Sequence, residues 1–472
     1  MGQEISRSSF SEEDFKRFRD RVIAETALLE QWMADGVLDQ GEAMAGSEIE
    51  AWLVTDRGLP SPVNQAFLRH MDDPLVVPEL STFNVELNTC PVPFADGMFD
   101  HMHEELAALW QRCEVAANRE AAHMLMIGIL PTVQQSDLCL ENISAMQRYQ
   151  ALNEQVLRMR NDQPLALDIL AREHLVAEHD DVMLEAATTS FQIHLKIPPQ
   201  QAARAYNLSK IISAPMVALS ANSPFLFGHE LWDETRIPLF EQSVAVGASD
   251  YSKRVTFGVR YAEHSIMECF EANRDRYPVL LPQLMDEPVE SLAHLRLHNG
   301  TIWRWNRPLV GISENGKAHI RIEHRVIPSG PSILDVIANA AFYFGLTQEL
   351  MAMEKDAEAR LPFIDAKENF YSSACRGLDA RIVWFDGQEG SVADLCLQKL
   401  IPQARAGLLR LGIGTQEADR WLDIIEARAA SRQTGARWQR EWISRNGKDF
   451  PAMVRTYRMR QDSAQPVSAW KI

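Results

Sequence analysis

The chain has 472 residues, 46% hydrophobic and 24% charged, with a formal net charge of −18. That length buries a large core, and the composition is that of a globular protein. No Lys/Arg-rich run is present to neutralise phosphates, which argues against nucleic acid as the main partner, although a phosphate-bearing small molecule needs only a local basic pocket or a bridging metal.

The first residues, MGQEISRSSFSEEDFKRF, are polar and carry no apolar h-region. No apolar run approaches membrane-spanning length. Six scattered cysteines form no C-x-x-C pair and read as reduced thiols. A cytoplasmic protein with no membrane partner is expected.

In chain order, residues 11–35 have apolar positions at helical spacing, acids in the first turn and a Gly stop, which predicts an amphipathic helix. A strand over 46–54, in AGSEIEAWLV, follows. A strand sends residues i and i+2 to one face, so Glu48 and Glu50 project together. Two carboxylates held that close resist joint ionisation unless a cation lies between them; otherwise E-x-E is the solvated face of an edge strand. After a turn and a short helix over 63–70, VVPELSTFNVELNTCPVP is strand-like and spaces Glu79 seven residues from Glu86, with Asn88 behind. A helix over 97–122 leads to the strand MLMIGILPT.

Residues 138–180, with Arg148, Tyr149 and Asn153, read as mainly helical. The strand TTSFQIHLKIP then presents Gln192 and His194 on one face. A small-residue helix runs into the bend ALSANSPFLFG, followed by Arg236. In the strand HIRIEHRVIP, Arg321, Glu323 and Arg325 share a face. Helices are expected over 333–353, 370–378, 392–411 and 416–432, and a polar Arg- and Trp-rich tail closes the chain. Long helices among strands with polar faces predict an α+β fold with a mostly antiparallel sheet and a cavity on its polar face.

Seven segments, GSEIEAWL, ELSTFNVELNTCP, GILPT, SFQIHLKIP, ALSANSPFLFG with TRIPLFE, NGTIWRWNRP and RIEHRVIP, resemble in order the glutamate–cysteine ligase family of carboxylate–amine ligases, within the glutamine synthetase-like superfamily. The resemblance covers residues 40–380. It implies a curved sheet with helices outside it, a catalytic domain over 1–400 and a helical extension over 401–472. It also implies the chemistry: ATP converts the γ-carboxylate of glutamate, or of an analogue, to an acyl phosphate that an amine attacks. Cysteine is the default amine, as in glutathione biosynthesis. Carried onto this chain, Glu48, Glu50, Glu79, Glu86, His194 and Glu323 hold Mg²⁺ or Mn²⁺ together with ATP. Arg325 faces the transferring phosphoryl group, Arg236 binds the donor's carboxylates, and Gln192 and Asn88 shape the donor pocket. Leu130 stands where many relatives have His, so one nucleotide-side contact differs.

Each residue also has a plainer reading. His194 reads as a satisfied core histidine, Glu323 with Arg325 as a structural ion pair, and Arg236 as a helix cap. Trp303, Trp305 and Arg307 read as core and rim packing, and Arg428, Arg437 and Trp438 as docking contacts for the C-terminal helices. The rival functions are a small-molecule kinase of the same superfamily and a non-catalytic ATP- or amino-acid-binding regulator. A regulator is disfavoured because every member of the acidic set is present. A homodimer suits a chain of this size.

Overall fold

A computed structural model describes residues 4–246, 253–313, 315–353 and 356–472. Strands β1 (Met44–Thr55), β2 (Val76–Pro78), β3 (Asn84–Asn88), β4 (Val92–Pro93) and β5 (Ala122–Leu125) come first. A hairpin, β6 (Leu165–Leu170) and β7 (His174–His179), precedes β8 (Ser190–Ile197). The short pair β9 (Phe225–Leu226) and β10 (His229–Glu230) is followed by β11 (Asn306–Ile312) and β12 (Ala318–Pro328), then by β13 (Arg381–Trp384) and β14 (Gln388–Ser391). The main sheet has eight strands in the order β11-β12-β8-β1-β3-β2, with β4 and β5 also on β1. Its pairings are all antiparallel, as the alternation in the sequence predicts.

One face of this sheet is apolar. Ile193 and Ile322 are fully buried on it, and the helix Ala202–Ser220 lies against β12 and the helix Ile333–Met351. His324 belongs to this side: its Nδ1 lies 2.7 Å from Asn306 Oδ1 and its ring stacks on Tyr343 at 4.6 Å. The core histidine is therefore His324, and period two sends its neighbours Glu323 and Arg325 to the other, polar face.

Residues 138–180 are not mainly helical. The helix covers only Gln147–Met159, and β6 and β7 follow. Leu165, Leu167 and Ile169 are buried while Ala166, Asp168 and Leu170 are exposed. The two-residue period of LALDIL outweighs the helix propensity of its Leu and Ala. The strand ends at Leu125, before GILPT, and at Gly128 a Cβ would press on Pro328 and Ser223. The expected helix over 370–378 begins earlier, at Phe363.

The tail is more than a polar appendage. It forms the helices Gly435–Asn446 and Phe450–Gln461, and Trp438, Tyr457 and Trp470 meet edge-on at 5.1 to 5.7 Å within a second core. Arg428 docks the preceding helix by reaching Asp335 Oδ1 at 2.7 Å and Asn339 Oδ1 at 2.6 Å. The boundary drawn at residue 400 falls inside helical chain that continues through Ile401–Arg410. This last helix crosses Ile333–Met351 at Gly407 and Gly345, where a Cβ on either residue would strike backbone of the facing helix. Gly407→Ala is therefore expected to destabilise the fold by about 1–3 kcal/mol; an unchanged urea midpoint would refute the close crossing. Among the described residues no helix is long and apolar enough to cross a membrane.

Candidate active site

The sheet register builds the site. Directly opposed residues of an antiparallel pair point to the same face. Glu50 lies opposite Glu86, and Glu48 lies between Asn88 on β3 and Gln192 on β8. His194 lies opposite Glu323, and Glu323 opposite Arg307. Of these residues Glu48, Glu50, Glu86, Gln192, Arg307 and Glu323 line a cavity of about 410 Å³, a size that suits small-molecule substrates.

The six expected ligands do not form one group. They divide into two triads, Glu48 with His194 and Glu323, and Glu50 with Glu79 and Glu86, each with ligand atoms within 4.8 Å of one another. The two differ in their counter-charges. Arg307 grips Glu323 with a two-pronged pair of hydrogen bonds, Nε at 2.8 Å and Nη2 at 2.9 Å, and Arg325 Nη1 adds one at 3.2 Å. Burial works against ionisation of Glu323, but Arg307, Arg325 and His194 outweigh it and bring its pKa down to about 2. Burial likewise opposes the Glu48 charge, yet positive charge around it, including His194 and Arg321, holds it well below the usual carboxylate range. His194 Nε2 is 3.0 Å from Glu48 Oε1, and neither of its buried ring nitrogens makes an aligned hydrogen bond.

The second triad is less fully compensated. Burial, then the charges of Glu86 and Glu50, push Glu79 well above the carboxylate range. Burial and then Glu48 raise Glu86 to about 7, relieved only in part by Asn88 Nδ2 at 3.0 Å from its Oε1. Three converging carboxylate oxygens are a donor set suited to Mg²⁺ or Mn²⁺. A pH dependence follows. A carboxyl with a raised folded-state pKa binds its proton more tightly when folded, so its contribution is complete below the unfolded value and is lost as pH rises. Stability of the metal-free protein is expected to fall between about pH 4.5 and 7, with added Mg²⁺ reversing the fall. Thermal unfolding across that range, with and without Mg²⁺, checks it; a flat apo profile would sink it.

A polar chain links the triads. Glu50 accepts from Ser190 N at 2.7 Å, Ser190 Oγ at 3.0 Å and Gln192 Nε2 at 2.9 Å. Gln192 Oε1 in turn accepts from Arg325 Nη1. The register of β12 against β8 shifts between His324 and Ile327. This irregularity, of a kind often found beside functional sites, lies where Arg325 leans toward Gln192.

Two expected substrate contacts also have partners within the protein. Arg236 is buried, donating from Nε to Glu234 at 3.1 Å and from Nη2 to the carbonyls of Arg325, at 3.2 Å, and Val326; it borders the cavity while bracing β12. Asn88 supports Glu86 and does not line the cavity. Sequence reasoning assigned Arg307 to packing, placed Arg321 on the polar face without a role and did not single out Glu185 or Arg296, yet all four line the cavity. The alternation of NRPLVGI against RIEHRVI could have exposed Arg307. Glu185 lies in a 3₁₀ turn, Val182–Ala187, with no periodic signal to betray it.

The described chain is similar in fold to glutamate–cysteine ligase from Francisella tularensis in complex with AMP, with a TM-score of 0.55, 12% identity, and 92% of this chain and 90% of that one covered. A bifunctional glutathione synthetase from Pasteurella multocida gives a TM-score of 0.53 at 11% identity, covering 93% of this chain but 55% of that one. No curated protein matches the sequence. Residues 44–459, which include both triads, the bridging arginine and the C-terminal helices, match glutamate-cysteine ligase family 2. The chain therefore belongs to this family of ATP-dependent ligases that form C–N bonds.

Proposed function

We propose that the protein activates the γ-carboxylate of glutamate, or of a close analogue, and joins it to an amine, with cysteine the default acceptor. The observation that carries this reading is the pair of acidic triads, one buried and one partly buried, joined through Gln192 and Arg325 at one cavity. A carboxylate is a poor acyl donor. Its oxygen attacks the γ-phosphorus of ATP, ADP leaves, and the amine then attacks the acyl carbon, expelling phosphate and losing a proton. Every step gathers negative charge, so catalysis depends on positioning and electrostatic stabilisation.

In this reading Glu50, Glu79 and Glu86 hold one divalent cation, and Glu48, His194 and Glu323 a second. Bound there, Mg²⁺ or Mn²⁺ neutralises polyphosphate charge. Arg325 meets the migrating phosphoryl group. Arg307 fixes the orientation of Glu323, and Gln192 transmits the position of Arg325 to Glu50. Arg236 keeps β12 and Arg325 in register and lends positive potential to the donor's carboxylates.

The test is ADP release by the purified protein with ATP, Mg²⁺ and L-glutamate, with and without a panel of amines led by cysteine. A product mass equal to glutamate plus amine minus water supports the reading and names the acceptor. ADP release that ignores glutamate, or a phosphorylated acceptor with no C–N bond, would overturn it.

A further inference from the structure

The cavity holds two opposite charges that do not meet. Arg148, on the helix Gln147–Met159, is 9% exposed, and its Nη1 is buried without a hydrogen-bond partner. Glu185 enters from the turn Val182–Ala187, and its Oε2 is likewise buried without a partner. Both line the cavity. Burial raises Glu185 to about 7, with Arg325 and then Glu50 and Arg148 the charges it feels. Buried opposite charges normally pair, because leaving each alone is costly. A guest carrying both charges at once would satisfy the two.

We propose that Arg148 and Glu185 form a subsite for the two charged main-chain groups of an α-amino acid, Arg148 taking the α-carboxylate and Glu185 the α-ammonium. The occupant is the donor amino acid. Arg325 lines the same cavity as Arg148 and Glu185, so a side chain leaving this subsite has the phosphoryl-facing arginine within the same space for its own carboxyl. The planar fork of Arg148 suits a carboxylate, and its guanidinium carbon, 5.3 Å from the Tyr149 ring centroid, is held over that ring. Specificity arises because an analogue lacking either group leaves one buried charge unanswered. The assignment rests on the reading of the protein as a ligase that activates an amino-acid carboxylate.

The experiment titrates L-glutamate, 4-aminobutyrate (no α-carboxylate) and glutarate (no ammonium) by calorimetry, with Mg²⁺ and a non-hydrolysable ATP analogue bound. The proteins are the wild type, Arg148→Gln and Glu185→Gln, and binding of the ATP analogue reports that each variant is folded. Arg148→Gln is expected to weaken glutamate about 10- to 100-fold and to leave 4-aminobutyrate unchanged. Glu185→Gln is expected to weaken glutamate similarly and to leave glutarate unchanged. Losses equal for glutamate and its truncated analogues, or no loss, would overturn the subsite while leaving the ligase reading intact. Should the wild type bind none of the three, the glutamate reading fails, and the same proteins are titrated with cysteine, cysteamine and 3-mercaptopropionate. Charge-selective losses in that series would place the acceptor at Arg148 and Glu185 and overturn the donor assignment; no losses would discard the subsite.

Discussion

Glu86→Gln is expected to lower turnover by about a thousandfold or more and, at the same time, to raise the unfolding midpoint of the metal-free protein. The two effects have one cause. Glu86 faces Glu50 across the β1–β3 pair, and burial with neighbouring carboxylate charge raises its pKa to about 7. Removing one acid relieves repulsion in the empty triad, which stabilises the apo fold, and removes a donor for the cation, which supplies several kcal/mol of transition-state stabilisation. Scanning calorimetry of the apo protein beside steady-state ADP release measures both. A destabilised apo variant, or a fully active one, would show that the three carboxylates are a structural feature and not a cation site.

At Glu323 the stability effect has the opposite sign. Glu323→Gln is also expected to reduce turnover at least a thousandfold, but with a loss of about 3–5 kcal/mol of stability, because the buried Arg307 and the half-buried Arg325 lose the anion they share. Arg307→Lys should recover part of the stability and less of the activity, since a point charge cannot reproduce the two-pronged grip that orients the carboxylate. Urea unfolding of both variants checks the stability term. Equal stability in wild type and Glu323→Gln would mean that Arg307 and Arg325 find other partners. The contrast in sign between Glu86 and Glu323 separates a triad whose charge the protein largely offsets from one whose charge it offsets only in part.

Most of the expected ligands were legible because strands advertise their faces. Glu48 with Glu50, Gln192 with His194, and Glu323 with Arg325 are each two apart, and a period of two carries each pair to one side of the sheet. The division of the six side chains into two triads was not legible, because it depends on β1 lying between β3 and β8. Arg307 was missed for the same reason: its role is fixed by the pairing of β11 with β12. Arg148 and Glu185 come from a helix and a 3₁₀ turn outside the sheet, and no spacing in the chain relates them.

The sequence by itself determined the α+β class, the polar-faced strands and the family, because these follow from periodicity and from short motifs whose order survives in a single chain. Only the tertiary structure decided which carboxylates carry their own counter-ions and which do not. Charge compensation is set by distances of about 3 Å between residues far apart in the chain, such as His194 and Glu48 at 3.0 Å. Ionisation in a buried site depends on those neighbours more than on the residue itself. The same holds for the C-terminal helices: an Arg- and Trp-rich stretch reads as polar, but Trp438, Tyr457 and Trp470 are buried once the helices find a surface to cover, because burial is a property of the packed partner as much as of the residue.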